Sequence, residues 1–190
     1  MRTRESPDSL RCIAHLATPP VLQAAVSRRL HNGQPFDLPL SLADIHNPGT
    51  EPRQGPNQTI VFTFDKPLNA ATVTITEGTA TPAAPIFTGN DVVVGLTGVT
   101  DIQYVTIGLT NVASTDGGTG GSGSVRVGFL AGDVNGNRVV SPTDLVLMNR
   151  QQLKPLTASN YLMDVNVSGA VTPSDLVITN RLQLHSLPLP

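Results

Sequence analysis

The chain has 190 residues, a formal net charge of −2, 14% charged and 4% aromatic residues, and a single cysteine. So near-neutral a balance excludes recognition of nucleic acid or of an acidic membrane through bulk positive charge, and Cys12 alone excludes an internal disulfide. No apolar run approaches the roughly 18 residues that span a bilayer, while 17 glycines and 16 prolines point to a turn-rich β protein of the cell exterior.

Residues 1–20 resemble neither a signal peptide nor a domain. The apolar part, Cys12–Ala17, is short, broken by His15, and ends at Pro19-Pro20. The expectation is a mostly disordered linker. If the protein is exported, the signal lies upstream in a longer parent.

From Val21 the pattern becomes β. Ala24–His31, the turn Asn32-Gly33-Gln34 and Phe36–Leu42 read as a hairpin, because Asn-Gly supplies the positive φ that a tight turn needs. Pro39 cannot donate to a ladder and marks the second strand as an edge. Apolar residues then alternate at Ile60/Phe62/Phe64, Val73/Ile75, Val92/Val94/Leu96, Val105/Ile107/Leu109 and Val125/Val127/Phe129. Period-2 segments divided by Gly, Pro and Asn predict two packed antiparallel sheets over residues 21–131, an immunoglobulin-like or fibronectin-like sandwich of about seven or eight strands. Since this alternation is complete without residues 132–190, the sandwich is expected to fold independently.

Gly118, Gly120 and Gly123 spell the G-x-G-x-x-G of a dinucleotide site. That chemistry needs a helix N-terminus behind the glycines to hold the pyrophosphate. Val125–Leu130 reads as a strand, so a flexible hairpin loop is expected. No catalytic constellation is found. The histidines (His15, His31, His46, His185) are scattered, no G-x-S-x-G elbow is present, and distant carboxylates such as Asp65 and Asp101 read as surface solvation. The chain is expected not to be an enzyme.

Residues 132–190 are organised by a repeat. Asp133–Leu153 and Asp164–Leu184 carry the same residue at 12 of 21 positions, the mark of one supersecondary unit used twice. Asp133, Asn135, Asn137, Ser141 and Asp144 stand at places 1, 3, 5, 9 and 12 of a loop, and so do Asp164, Asn166, Ser168, Thr172 and Asp175. Calcium takes 6–8 oxygens, and an EF-hand-type loop delivers them from these places together with a carbonyl at place 7, here Val139 and Ala170. Two calcium ions are expected. Helix capping alone is the competing reading: Ser141-Pro142-Thr143-Asp144 and Thr172-Pro173-Ser174-Asp175 are good helix starts. Capping asks nothing of Asp133, Asn135 or Asn137, and one carboxylate can serve both purposes.

Two Asp-x-Asn-x-(Asn/Ser) loops, each ending in Asp and followed by a Leu-Val-rich helix, resemble a type I dockerin. The resemblance covers about 55 residues. It implies a small calcium-dependent module by which secreted bacterial enzymes, as in polysaccharide catabolism, dock onto cohesin domains. Thr143, Arg150, Ser174 and Arg181 fall at the family's recognition places. Pro142 and Pro173 replace a hydroxyl often found there, so metal binding carries over better than cohesin binding. Arg138 stands at the sixth place, where positive φ favours glycine; Gly136 is expected to absorb some of that turn, and the second loop keeps Gly169. Two sites of similar affinity, weak by EF-hand standards, are expected.

The fold class expected is therefore mainly β with a small α domain: an antiparallel sandwich followed by a dockerin-like pair of calcium loop–helix repeats. Leu145, Leu147, Met148 and Leu153 give the first repeat a helix that Pro155 must end, and the second should run from Pro173 to about Leu184. A short helix over Thr157–Met163 should carry Tyr161 and Leu162 inward, and Leu187-Pro-Leu-Pro should fray. The function expected is a non-catalytic, extracellular docking module, monomeric, binding a cohesin-like partner. The alternatives are a calcium-stabilised C-terminal cap with no cohesin, or, with no residues to support it, a glycan- or peptide-cleaving fragment.

Overall fold

The computed structural model describes residues 17–43, 46 and 48–189. The expectations for residues 1–16, Cys12 included, lie outside that range. Ten strands are described: β1 (Leu22–His31), β2 (Gln34–Leu40), β3 (Thr50–Glu51), β4 (Gln58–Phe64), β5 (Leu68–Glu77), β6 (Thr81–Pro82), β7 (Ile86–Thr88), β8 (Asp91–Thr97), β9 (Gln103–Ser114) and β10 (Gly121–Phe129). One sheet runs β2-β1-β4-β8-β6 with β7 also on β8, and the other β3-β10-β9-β5. The period-2 residues of β4, β8, β9 and β10 fill the space between them: Phe62, Val92, Val94, Val105, Ile107 and Val127 are fully buried. Each such side chain contributes about 1.5–3 kcal/mol on burial.

Asn32 (φ 48) and Gly33 (φ 85) make the tight β1–β2 turn, and β2 with Pro39 is a sheet edge as predicted. Three strands escape sequence reading because two or three residues carry no visible alternation. One of them corrects the all-antiparallel expectation: β3 pairs β10 in parallel, Thr50 opposite Gly128 and Glu51 opposite Phe129. The glycine-rich stretch leads from β9 into β10, a strand, so no helix N-terminus is present for a pyrophosphate. Its bend is fixed by Asp116, whose carboxyl is held down at about 2 by the Ser114 hydroxyl, the Gly118 amide and Lys66. Lys66 Nζ also reaches the Thr18 carbonyl at 3.0 Å, so residues 17–20 lie against this loop.

After β10 come α1 (Pro142–Asn149), a 3-10 turn (Tyr161–Met163) and α2 (Pro173–Arg181). Val134, Met148 and Val165 form a small core between the repeats. Both helices end earlier than predicted, for one reciprocal reason. The Leu153 amide bonds the Val171 carbonyl (3.4 Å), and the Leu184 amide bonds Val140 (2.9 Å), so each helix exit is tied to the opposite loop. Leu153 and Leu184 take positive φ, 61 and 71, at these exits. Leu153 is consequently 92% exposed. Tyr161 is buried and Leu162 half-buried. The C-terminal tail corrects another expectation: Leu187 is buried with Tyr104, Leu130 and Val140, and its amide bonds the Arg138 carbonyl at 3.1 Å. A Cβ on Gly128 would lie 2.5 Å from Leu187 Cδ1, which is why β10 carries no side chain there.

Sandwich and repeats meet without a spacer. The Gly132 amide bonds Pro52 O (2.9 Å), Gln54 N bonds Val165 O (2.9 Å), and Asn32 N bonds Val167 O (3.1 Å). Tyr161 stacks on Phe36 at 5.2 Å between centroids, and its hydroxyl donates to Asp37 O at 3.0 Å. Beneath these contacts Glu51 and Arg53 form an ion pair with no exposed side-chain surface.

Candidate metal centre

Each loop begins at a bend that left-handed residues allow, and each is closed by its own aspartates. In the first, Asp133 Oδ1 accepts from the Asn137 amide (3.0 Å) and Oδ2 from the Arg138 amide (2.8 Å). In the second, Asp164 Oδ1 accepts from the Ser168 amide (2.9 Å) and Oδ2 from the Gly169 amide (2.7 Å). Asn135 and Asn166 take the next amide-to-side-chain bond, from Asn137 (2.9 Å) and Ser168 (3.0 Å). Asp144 accepts from the Asn135 and Ser141 amides, 3.2 and 2.9 Å, and Asp175 from the Asn166 and Thr172 amides, 3.1 and 2.9 Å. Asp144 and Asp175 thereby close the loop and cap α1 and α2 with the same carboxylate. The Ser141 and Thr172 hydroxyls point their hydrogens at those carboxylates, at 3.0 and 2.9 Å, leaving oxygen lone pairs for another partner.

All four aspartates are buried, between 0% and 1% exposed. Asp133 shows the consequence. Burial pushes its carboxyl above the ordinary value, the Arg138 and Asn137 amides pull it back, and the Asp144 charge pushes it up again. Asp164 is equally buried, yet hydrogen bonds from His31 and from the Gly169 and Ser168 amides outweigh burial and leave its carboxyl below the ordinary value. Two carboxylates brought together inside a loop call for a cation, which reverses the local repulsion. Among the described residues no three His, Cys, Asp or Glu side chains gather. The rest of each donor set is amide, hydroxyl and carbonyl oxygen, the chemistry of a hard cation such as calcium and not of zinc. Asp133, Asn135, Asn137, Val139, Ser141 and Asp144 can hold one ion in this way, and Asp164, Asn166, Ser168, Ala170, Thr172 and Asp175 a second.

The backbone departs from expectation at one place. Gly136 does have positive φ (72), but it does not relieve Arg138, which sits at φ 71. Both the fourth and sixth places of the loop are left-handed. In the second loop the sixth is Gly169 (φ 97) and the fourth is Val167, a β-branched residue at φ 54. Each loop therefore carries one strained residue, at different places. Arg138→Gly is expected to tighten calcium at the first loop about fivefold, from about 1 kcal/mol of left-handed strain. Gly169→Ala is expected to weaken the second, since its Cβ would lie 2.7 Å from Asn32 Cβ. Calorimetric titration of the two variants checks both directions.

The proposed recognition residues Thr143, Arg150, Ser174 and Arg181 are all exposed, on α1, α2 and the turn after α1. Sequence reading did not single out the exposed apolar residues beside them. Val146 and Val177 are 49% and 50% exposed, and Leu153 and Leu184 92% and 87%. Their identity between repeats was the available signal. His31 was also missed as a neighbour of the second loop; nothing local in the sequence marks it.

The model of the family described as the dockerin type I domain matches residues 131–184. No curated protein and no solved structure matches the chain. Among the described residues no helix is long and apolar enough to cross a membrane. The duplicated loops and helices lie within that match, so residues 131–184 are similar to a dockerin type I domain.

Proposed function

We propose that this chain is a non-catalytic, extracellular docking module. Residues 132–190 hold two calcium ions through the twelve loop residues named above and bind a cohesin-like protein. Residues 21–131, an immunoglobulin-like sandwich, carry whatever is tethered. The observation that supports this most is the doubled surface: Thr143 and Ser174, Val146 and Val177, Arg150 and Arg181 are presented twice in equivalent settings and left exposed. Asp133 with Asp144, and Asp164 with Asp175, would hold the ions, and because Asp144 and Asp175 also cap α1 and α2, a filled loop would fix the helix that presents the recognition side chains.

A secreted-fraction pull-down with the chain as bait tests the reading. A saturable partner is expected in calcium and is expected to be lost with chelator. Replacing Thr143, Arg150, Ser174 and Arg181 together by Ala should abolish capture while two ions still bind. A second reading has its own support. Pro142 and Pro173 remove a hydroxyl from the recognition surface, and the repeats share contacts with the sandwich, the buried His31–Asp164 pair among them. If calcium binds and stabilises the chain but no saturable partner is captured, the repeats act as a calcium-clamped structural cap.

A further inference from the structure

The tip of the β1–β2 hairpin belongs to the sandwich, yet it touches the second loop at three adjoining points. His31 Nδ1 lies 2.8 Å from Asp164 Oδ2. The Asn32 amide bonds the Val167 carbonyl at 3.1 Å. Asn32 Cβ rests where a side chain at position 169 would stand, 2.7 Å from an ideal Cβ on Gly169. The third contact gives the two loops their different sixth residues: Gly169 must be bare because the hairpin covers it, while Arg138 keeps its side chain.

His31 is not merely near Asp164; its hydrogen is aimed. The other ring nitrogen, Nε2, faces Arg53 Nη1 at 3.3 Å. A guanidinium has donors only, so Nε2 must accept and Nδ1 must carry the hydrogen given to Asp164. Arg53 is itself fixed by Glu51 at 2.6 Å through Nε and through Nη2. His31 and Asp164 have no exposed side-chain surface, so water does not replace this bond. Phe36 and Tyr161 stand edge-on to the ring, at 5.1 and 6.2 Å, and restrict its rotation.

We infer that His31 is a positioning residue for the second calcium site, so that the sandwich completes that site from outside the repeat. The inference rests on the loops binding calcium. The hydrogen bond spends one face of Oδ2 on the imidazole and the Gly169 amide and orients the carboxylate for the ion. Outer hydrogen bonds of this kind change metal affinity by about 10–100-fold. By linkage, the ion in the second loop in turn holds the sandwich against the repeats.

Calcium titration of the full chain tests this, with Asp133→Ala used to isolate the second site and Asp164→Ala the first. His31→Leu is expected to weaken the second site by about tenfold or more and to leave the first unchanged. His31→Gln, whose amide can accept from Arg53 and donate to Asp164, is expected to restore most of the loss. Unchanged second-site affinity in His31→Leu, or an equal loss at both sites, overturns the inference. Should His31→Leu fail to fold, amide hydrogen exchange on otherwise unaltered His31 decides. The Asn32 and Gln54 amides, bonded to Val167 and Val165, should exchange faster on chelation in the wild type and in Asp133→Ala, with no calcium dependence in Asp164→Ala. Calcium-independent exchange there in the wild type overturns the coupling. Absence of any calcium binding would instead refute the functional reading beneath it.

Discussion

Replacing Arg53 by Met is expected to destabilise the protein by about 3–5 kcal/mol, the range for breaking a buried ion pair from one side. All five of its donors are in use: two on Glu51, and one each on Phe36 O (2.8 Å), Ser27 O (2.9 Å) and His31 Nε2 (3.3 Å). The guanidinium also lies 5.3 Å from the Tyr161 ring centre. Without it, Glu51 is left as a buried charge whose donors among the described residues are the Ser27 hydroxyl (2.5 Å) and the residue-53 amide (3.0 Å). The double variant Glu51→Leu/Arg53→Met should recover a large part of the loss, because the cost lies in the orphaned carboxylate and not in the absent attraction. Urea unfolding in saturating calcium measures both. A loss under about 1 kcal/mol for Arg53→Met would mean that water reaches Glu51. The position of this pair, under the junction between sandwich and repeats, places a buried polar anchor there.

Asp144→Asn and Asp175→Asn separate calcium binding from capping. Each amide keeps an acceptor oxygen for the helix start but gives up the charge that a cation requires. Each substitution is expected to remove one ion, and the double variant should melt at a temperature independent of calcium. Wild-type protein should gain about 2.7 kcal/mol for each occupied loop when calcium reaches a hundred times that loop's dissociation constant. In chelator the order should invert, with the Asn variants at least as stable as the wild type, because the repulsion that helps raise Asp133 is gone. Native mass spectrometry counts the ions and thermal melts read the stability. Two ions still bound by the double variant would leave the two aspartates as caps alone.

The repeat was legible because its information is local. Twelve identities at one offset, and oxygens at places fixed by a single loop, need no knowledge of the rest of the chain. The same holds for the sandwich strands. Phe62, Val94, Ile107 and Val127 announce an inward face through period 2 alone, and Asn32-Gly33 announces the turn between β1 and β2. Local signals failed where the backbone answers to a distant partner. Leu153 fits a helix pattern, but its amide is claimed by Val171 and its side chain turns to solvent. Leu187 looks like the start of a loose tail, but the bare Gly128 of β10 gives it a seat.

The sequence by itself determined the two loops, the spacing of their oxygens, the helix starts and the alternating faces of the sheets, since each is set by residues within about a dozen positions of one another. Only the tertiary structure decided what the loops lean on. His31 and Asp164 are separated by 133 positions, and the burial of the Arg53–Glu51 pair comes only with the folded chain. No periodicity records which carboxylate a hairpin tip will meet. That contact exists only because two independently patterned units pack face to face, and burial then makes the polar groups caught between them find their partners within the protein.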